Sequence, residues 1–253
     1  MIYLTGDTHR GHDMGKLSSL CLQENNISFK ENDYLIITGD FGFPFYHKDA
    51  IAFEQSHGTK GLYSYWIEFF SKMPCKILFV DGNHDNHDWW GRQPVSKMFD
   101  GKVQIHPHSS NIIHLMRGEI YTIEGKSFFS FGGAASVDKI RRVEGIDWWR
   151  NEEPTYAETE YALDNLEKHD FKVDYILTHT MPSMLINSMP EFSHHSEPCV
   201  AAKFFNTVME QVEYKKWFCG HFHMDRCVPS KRLYILYNTV TALDKFDDFR
   251  NLR

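Results

Sequence analysis

The chain has 253 residues, of which 42% are hydrophobic, 15% aromatic and 24% charged, with a formal net charge of −7. This length fits one domain spanning residues 1–253, and the apolar content is that of a packed core rather than a disordered chain. The acidic balance argues against an extended nucleic-acid surface, which needs clustered Lys and Arg to displace counterions from phosphates.

The first strand runs from Ile2 to Thr5. A polar turn and a helix around Lys16 to Glu24 follow, then a strand at Tyr34 to Thr38, a helix near Lys60 to Lys72 ended by Pro74, and a strand at Lys76 to Val80. Residues 1–80 therefore read as β-α-β-α-β with mostly parallel pairing. From Val103 to Phe131 the character changes. Ile112 to Met116, Ile120 to Ile123 and Phe128 to Phe131 are β-rich and separated by Arg117-Gly118 and Glu124-Gly125-Lys126. Turn residues this close together predict antiparallel hairpins, and the stretch reads as the second sheet of a β-sandwich. Helical patterns return at Thr155 to His169, where Ala157, Ala162, Leu163 and Leu166 share a face after Pro154, and near Val200 to Val212. Strands at Tyr175 to Leu177, Lys216 to Cys219 and Leu233 to Tyr237 complete the pattern, and the charged C-terminal tail is expected on the surface.

The five cysteines are dispersed and form no C-x-x-C pair, which fits reduced thiols. No apolar run approaches the roughly 20 residues that cross a bilayer. Met1 leads directly into the first strand, so no signal peptide is expected. These readings predict a cytoplasmic protein with no membrane contact.

Seven side chains with metal-binding chemistry follow five of the strand-like runs. They lie in Gly6-Asp7-Thr8-His9, Gly39-Asp40, Gly82-Asn83-His84-Asp85, Thr178-His179 and Gly220-His221-Phe222-His223. In an open α/β sheet, residues just past the carboxyl ends of strands gather in one crevice. Carboxylates, imidazoles and one amide converging there can hold two hard or borderline divalent cations. Residues two apart, as in Asp7/His9 and His221/His223, point to opposite faces of a regular strand, so using them as pairs requires a loop. Gly220 is expected to permit the backbone geometry of its loop.

The order D-x-H, GD, GNHD, H and GHxH resembles that of the calcineurin-like metallophosphoesterase superfamily. The resemblance runs from Asp7 to His223. It implies an α/β four-layer fold, a two-sheet β-sandwich flanked by helices. It also implies Asp7, His9, Asp40 and His223 around one ion and Asp40, Asn83, His179 and His221 around a second, with Asp40 bridging. The activity implied is hydrolysis of phosphate mono- or diesters by a hydroxide that the two ions activate. His84 would stabilise phosphoryl charge and protonate the departing oxygen, and Asp85 would orient neighbouring donors. The ions expected for oxygen and imidazole donors without thiolate are Mn, Fe, Zn or Co.

Three further groups invite a role. Arg10 could clamp a phosphate oxygen through its planar fork or make a surface salt bridge. The segment Gly132 to Arg142, followed by Trp148-Trp149, reads as too glycine-rich and polar for core and as one wall of the cleft. It is similar to a segment of some bacterial and phage members of the family, with Asp138, Arg141 and Arg142 unassigned. Phe41 to Tyr46 could stack an aromatic leaving group or simply pack inside. Ser193-His194-His195-Ser196 reads as a solvated loop. The remaining histidines, His12, His47, His57, His87, His106, His108, His114 and His169, match no position of the pattern and read as surface or satisfied core.

The arginine of the GDxVDRG motif of protein serine/threonine phosphatases is missing after Asp40. A nucleotide or another small phosphoester is therefore expected in preference to phosphoprotein. The rival expectations are a nuclease for short single strands and a binding scaffold of the same fold without turnover.

Overall fold

The computed structural model describes residues 1–45, 61–195 and 199–246. Tyr46, His47, His57, Ser196, the start of the helix expected at Lys60 and the end of the charged tail lie outside these residues. Two mixed sheets face each other. The strands of the first are β1 (Ile2–Thr5), β2 (Tyr34–Ile37), β3 (Lys76–Phe79), β4 (Val95–Met98), β5 (Gly101–Ile105), β6 (Ile112–Leu115) and β13 (Thr241–Ala242), in the order β13-β1-β2-β3-β6-β5-β4. The second contains β7 (Glu119–Ile123), β8 (Lys126–Phe131), β9 (Tyr175–Thr178), β10 (Lys216–Cys219), β11 (Arg226–Val228) and β12 (Leu233–Ile235), in the order β11-β12-β10-β9-β8-β7.

The central strands are mostly apolar because both of their faces are covered. In β1, Ile2 and Leu4 face the second sheet while Tyr3 faces outward; in β2 Ile36 points in and Leu35 and Ile37 out. In the second sheet Phe128, Tyr175, Leu177 and Phe218 fill the space between the sheets, and Phe129, Ile176 and Trp217 point away from it. Period-two alternation thus feeds three cores. Outside the first sheet lies Leu62–Ser71, which buries Ile67 and Phe70. Outside the second lie Tyr156–Glu167 and Val200–Gln211, which bury Ala162, Leu166, Phe205 and Val208. The first of these two starts at a capping box: Thr155 Oγ1 accepts from Glu158 N, and the Glu158 carboxylate accepts from Thr155 N. The result is the four-layer arrangement of helices, sheet, sheet and helices.

The stretch after Val103 differs from expectation. β6 belongs to the first sheet, parallel to β3 and antiparallel to β5, and only β7 and β8 form the expected hairpin in the second. Arg117-Gly118 is therefore a crossing between sheets and not a hairpin turn. The tail also returns to the fold, since β13 pairs with β1 and both Leu243 and Phe246 are buried between the sheets. Among the described residues no helix is long and apolar enough to cross a membrane.

The parallel pairs β1-β2-β3-β6 and β8-β9-β10-β12 align the carboxyl ends within each sheet. His179, just past β9, reaches the Thr38 carbonyl past β2, so the two sets of ends meet at one edge.

Candidate metal centre

Each loop at this edge begins where a parallel strand stops, and four of its donor residues have left-handed backbones: His9 (φ 41°), Asp40 (φ 51°), His221 (φ 71°) and His223 (φ 50°). Non-glycine residues rarely occupy this region, and doing so costs on the order of 1–3 kcal/mol each. The conformation breaks strand alternation, which is what brings His9 beside Asp7's loop and His223 beside His9. Gly220 serves differently from expectation. Its φ is not in the left-handed range; a Cβ there would lie 2.5 Å from Asp7 Oδ1 and 2.8 Å from the Thr38 carbonyl, so the glycine is required by close approach.

Asp40 is the centre of the cluster. It is 1% exposed, with Oδ1 3.2 Å from His179 Nε2 and Oδ2 2.9 Å from His9 Nε2. Oδ1 also accepts from the His84 amide at 2.7 Å. His179 Nε2 lies 3.2 Å from Asn83 Oδ1. Two sets of three donors have ligand atoms within 4.8 Å of one another, His9/Asp40/His84 and Asp40/His179/His221, and Asp40 is common to both. Asp7 and His223 stand beside these sets. Asp7 accepts from the His221 amide at 3.1 and 3.2 Å, and the His223 ring lies 4.8 Å from that of His9.

The donor set fits divalent cations on evidence of its own. His9 Nε2 and Asp40 Oδ2 are buried and lie 2.9 Å apart without an aligned hydrogen bond, an arrangement that a cation between them would relieve. Burial works against a charged His9, yet Asp40 and Asp7 outweigh it and push its pKa up to about 9. The same contest, with Asp40 dominant among the carboxylates, raises His179 to about 10. Asp40 is buried too, but His179 and His84 hold its carboxyl well below the usual range. The carboxylates thus outweigh burial at both imidazoles.

The supporting residues are mostly ones that motif reading passed over. His9 Nδ1 contacts Asp13 Oδ2 at 2.5 Å, and Asp13 Oδ1 accepts from Tyr237 Oη at 2.8 Å. The Tyr237 ring stacks on His223 at 4.8 Å. His179 Nδ1 lies 2.8 Å from the Thr38 carbonyl, which turns Nε2 toward Asp40. Asn83 Nδ2 donates to Ser136 Oγ at 3.2 Å, so Oδ1 is the end left facing His179. Ser136 is in turn held by Glu152, whose two carboxylate oxygens accept from its amide at 2.7 Å and its hydroxyl at 2.6 Å. Lys16 is buried and donates to the carbonyls of Gly6, Asp7 and Tyr237. Burial lowers its pKa to about 8. Only Asp13 carried a local signal, four residues after His9.

The other expected residues fall as follows. Asp85 is fully buried and accepts from the amides of Gly42 and Gly82, both at 2.7 Å, so it fastens the loop after β2 to the loop after β3. Burial, reinforced by Asp40, raises its pKa to about 7. The Arg10 guanidinium lies over the Phe45 ring, 4.2 Å from the centroid. Phe41, Phe43 and Phe45 are buried, so the described part of this aromatic run packs inside. The segment after β8 corrects its reading: Ala134, Ala135 and Ser136 are buried despite the glycines, and the wall of the crevice comes from its second half, where Arg142 meets His84. The loop expected at Ser193 to Ser196 begins as the end of a 3-10 helix, Pro190–His195. His87, His106 and His114 are core groups with partners, on the Gly82 carbonyl, Tyr63 Oη and Asp81 with Gln104 respectively.

The sequence family described as calcineurin-like phosphoesterase matches residues 1–225. The chain belongs to that family. No curated protein matches the phosphoesterase. Among solved structures, one aligns at a TM-score of 0.50 and 14% identity over 93% of this chain and 88% of its own. Phosphopantetheinyl hydrolase (PptH) from Mycobacterium tuberculosis aligns at 0.45 and 16% over 99% and 93%. A Staphylococcus aureus protein provisionally named a 5'-nucleotidase, in complex with alpha-ketoglutarate, aligns at 0.43 and 11% over 93% of this chain and 47% of its own. The first of these is a likeness of fold alone.

Proposed function

We propose that this phosphoesterase is a binuclear metal-dependent hydrolase of phosphate mono- or diesters, with a nucleotide or another small phosphoester as substrate in preference to phosphoprotein. The observation that carries the reading is Asp40, a buried carboxylate common to two donor sets. Asp7, His9, Asp40 and His223 would hold one divalent ion, and Asp40, Asn83, His179 and His221 the other. Bound there, Mn, Fe, Zn or Co would supply the positive charge that polarises phosphoryl oxygens and acidifies a water.

The chain's own residues supply the rest. Thr38, Asp13 and Ser136 fix the donor atoms of His179, His9 and Asn83 before substrate arrives, so little reorganisation opposes binding. Asp85 holds the two loops that carry Asp40 and Asn83 at a fixed separation. His84 faces the same space and would donate the proton that the departing oxygen needs. The net charge of −7 favours a compact substrate over a long polyanion.

The test is a panel of phosphomonoesters, cyclic nucleotides and linear diesters assayed with manganese, alongside metal analysis of the purified protein. Hydrolysis that stops on chelation and returns with manganese is the expected result. Hydrolysis that survives full chelation would sink the reading, as would an inert protein with no bound ion.

A further inference from the structure

Arg142 is held by one edge and offers the other to the crevice. Its Nε donates to Asp138 Oδ1 at 2.7 Å and its Nη2 to Asp138 Oδ2 at 2.9 Å, a two-point contact along the side of the guanidinium. Nη1 donates to the Asp147 carbonyl at 3.0 Å. The terminal edge is turned to His84, with Nη1 3.4 Å from Nδ1 and Nη2 3.4 Å from Nε2. A neutral imidazole has one acceptor nitrogen and an imidazolium has none. The ring therefore satisfies at most one of the two donors facing it, and only at long range. A phosphate has the two adjacent oxygens that a guanidinium edge matches.

The position suits the reacting phosphate. His84 shares its donor set with His9 and Asp40, so the Arg142 edge is one imidazole ring away from the centre of the candidate site. The Arg142 side chain is 15% exposed, and Asp138 fixes its plane. Arg10, the arginine that the sequence brings to mind first, sits with its guanidinium on Phe45, 4.2 Å from the ring centroid.

We propose that Arg142 is a substrate-binding residue whose terminal guanidinium edge takes the outer oxygen face of the reacting phosphate and favours phosphomonoesters over diesters. The inference rests on the proposed hydrolase reading. A monoester has three terminal oxygens, so when one faces the ion-binding donors two adjacent ones are left for the Arg142 edge, whereas a diester has two in all and leaves one. A diester carries an ester carbon at one of these positions and one negative charge fewer. Asp138 is then a positioning residue, acting through Arg142.

The experiment compares the manganese-loaded wild type with Arg142→Lys, Arg142→Ala and Asp138→Asn, each first checked for an unchanged unfolding curve. It reads steady-state kinetics on nitrophenyl phosphate and bis(nitrophenyl) phosphate and, separately, calorimetric binding of orthophosphate. Arg142→Lys keeps the charge and the stem but loses the fork. It is expected to weaken orthophosphate and raise the monoester KM by roughly 10- to 100-fold, with less than about a threefold change on the diester. Asp138→Asn should shift monoester KM in the same direction by less. Equal losses on both esters, or orthophosphate binding unchanged in Arg142→Lys, would overturn the proposal and leave Arg142 as a brace for its loop. If the wild type lacks metal-dependent hydrolysis, the hydrolase reading fails by itself. Orthophosphate binding still decides Arg142: loss in Arg142→Lys supports it, and no binding by the wild type or equal affinity overturns it.

Discussion

His9 Nε2 and Asp40 Oδ2 face each other at 2.9 Å, buried, and neither has an aligned hydrogen bond. One residue follows β1 and the other β2, so the contact exists only because those strands are parallel neighbours in register, Thr5 beside Ile37. A proton shared between the two is one way to relieve them at low metal concentration, and a divalent cation is the other. The backbone strain at both residues is tolerated because the surrounding loops are over-determined by bonds to Lys16, Asp85 and the Asp40 carbonyl.

Asp40→Asn should therefore disable both ion sites together. The amide keeps the size and one acceptor oxygen but removes the charge shared by the two donor sets. Metal analysis after dialysis is expected to fall from close to two ions per chain to less than one, with hydrolysis lost in parallel. Retention of one tightly bound ion with full activity would show that the sites do not share this carboxylate.

The Ser136 hydroxyl selects the orientation of the Asn83 amide by accepting from Nδ2. Ser136→Ala removes that acceptor and lets the amide turn its nitrogen to the site, where it repels a cation. Loss of such an orienting partner typically costs 10–100-fold in metal affinity. Titration with manganese is expected to show weakening confined to one of two sites by roughly that factor. Uniform weakening of both, or none, would argue that the amide is held by His179 alone.

The meeting of the expected donors at one edge was legible because each sits within a few residues of the strand that presents it, so strand ends and candidate donors come from the same short windows. What failed depends on distance in the chain. The apolar run Ile112 to Leu115 shows nothing that says which sheet it joins, since both its faces are buried and the choice is made by pairing with β3. The β4-β5 hairpin was missed because β4 is largely exposed and shows no apolar alternation, although Asp100-Gly101 stands at its turn. The β7-β8 turn, Glu124-Gly125, stands between two β-rich runs and did announce itself. Arg142 reaches His84 across 58 positions, a contact that no local pattern encodes.

Asp81 and Arg117 form a second test, of stability. Asp81 is 3% exposed and accepts from Arg117 Nε at 2.9 Å and Nη2 at 2.5 Å. Although burial opposes its charge, Arg117 and then His114 hold its carboxyl far below the ordinary 3.8. Arg117→Ala leaves that charge buried and is expected to cost about 3–5 kcal/mol by urea unfolding at pH 7. The pH dependence follows from the signs. A depressed folded pKa gives the wild type a contribution that is present above the unfolded value, near 4, and lost as pH falls through the lower folded value. In the variant, burial without the arginine raises the carboxyl, so its stability should decline as pH rises from 4 to 7. Parallel pH profiles for the two proteins would contradict this account.

His84 has the reach of a ligand, sharing a donor set with His9 and Asp40, and also the position of a proton donor. Substrate chemistry separates these roles. An alkoxide such as a ribose oxygen leaves poorly and needs a proton, whereas nitrophenolate departs without one. His84→Ala should keep its bound metal, because the neighbouring Asn83 is the residue expected to coordinate. If it does, hydrolysis of alkyl esters is expected to fall by roughly 10²–10⁴-fold, the usual contribution of a positioned acid, with a clearly smaller fall for the nitrophenyl ester. Equal losses on the two substrates, with metal retained, would leave His84 as an electrostatic contact to the phosphoryl group. Loss of one ion would instead make it a ligand, and the proton would then have to come from another group in the crevice.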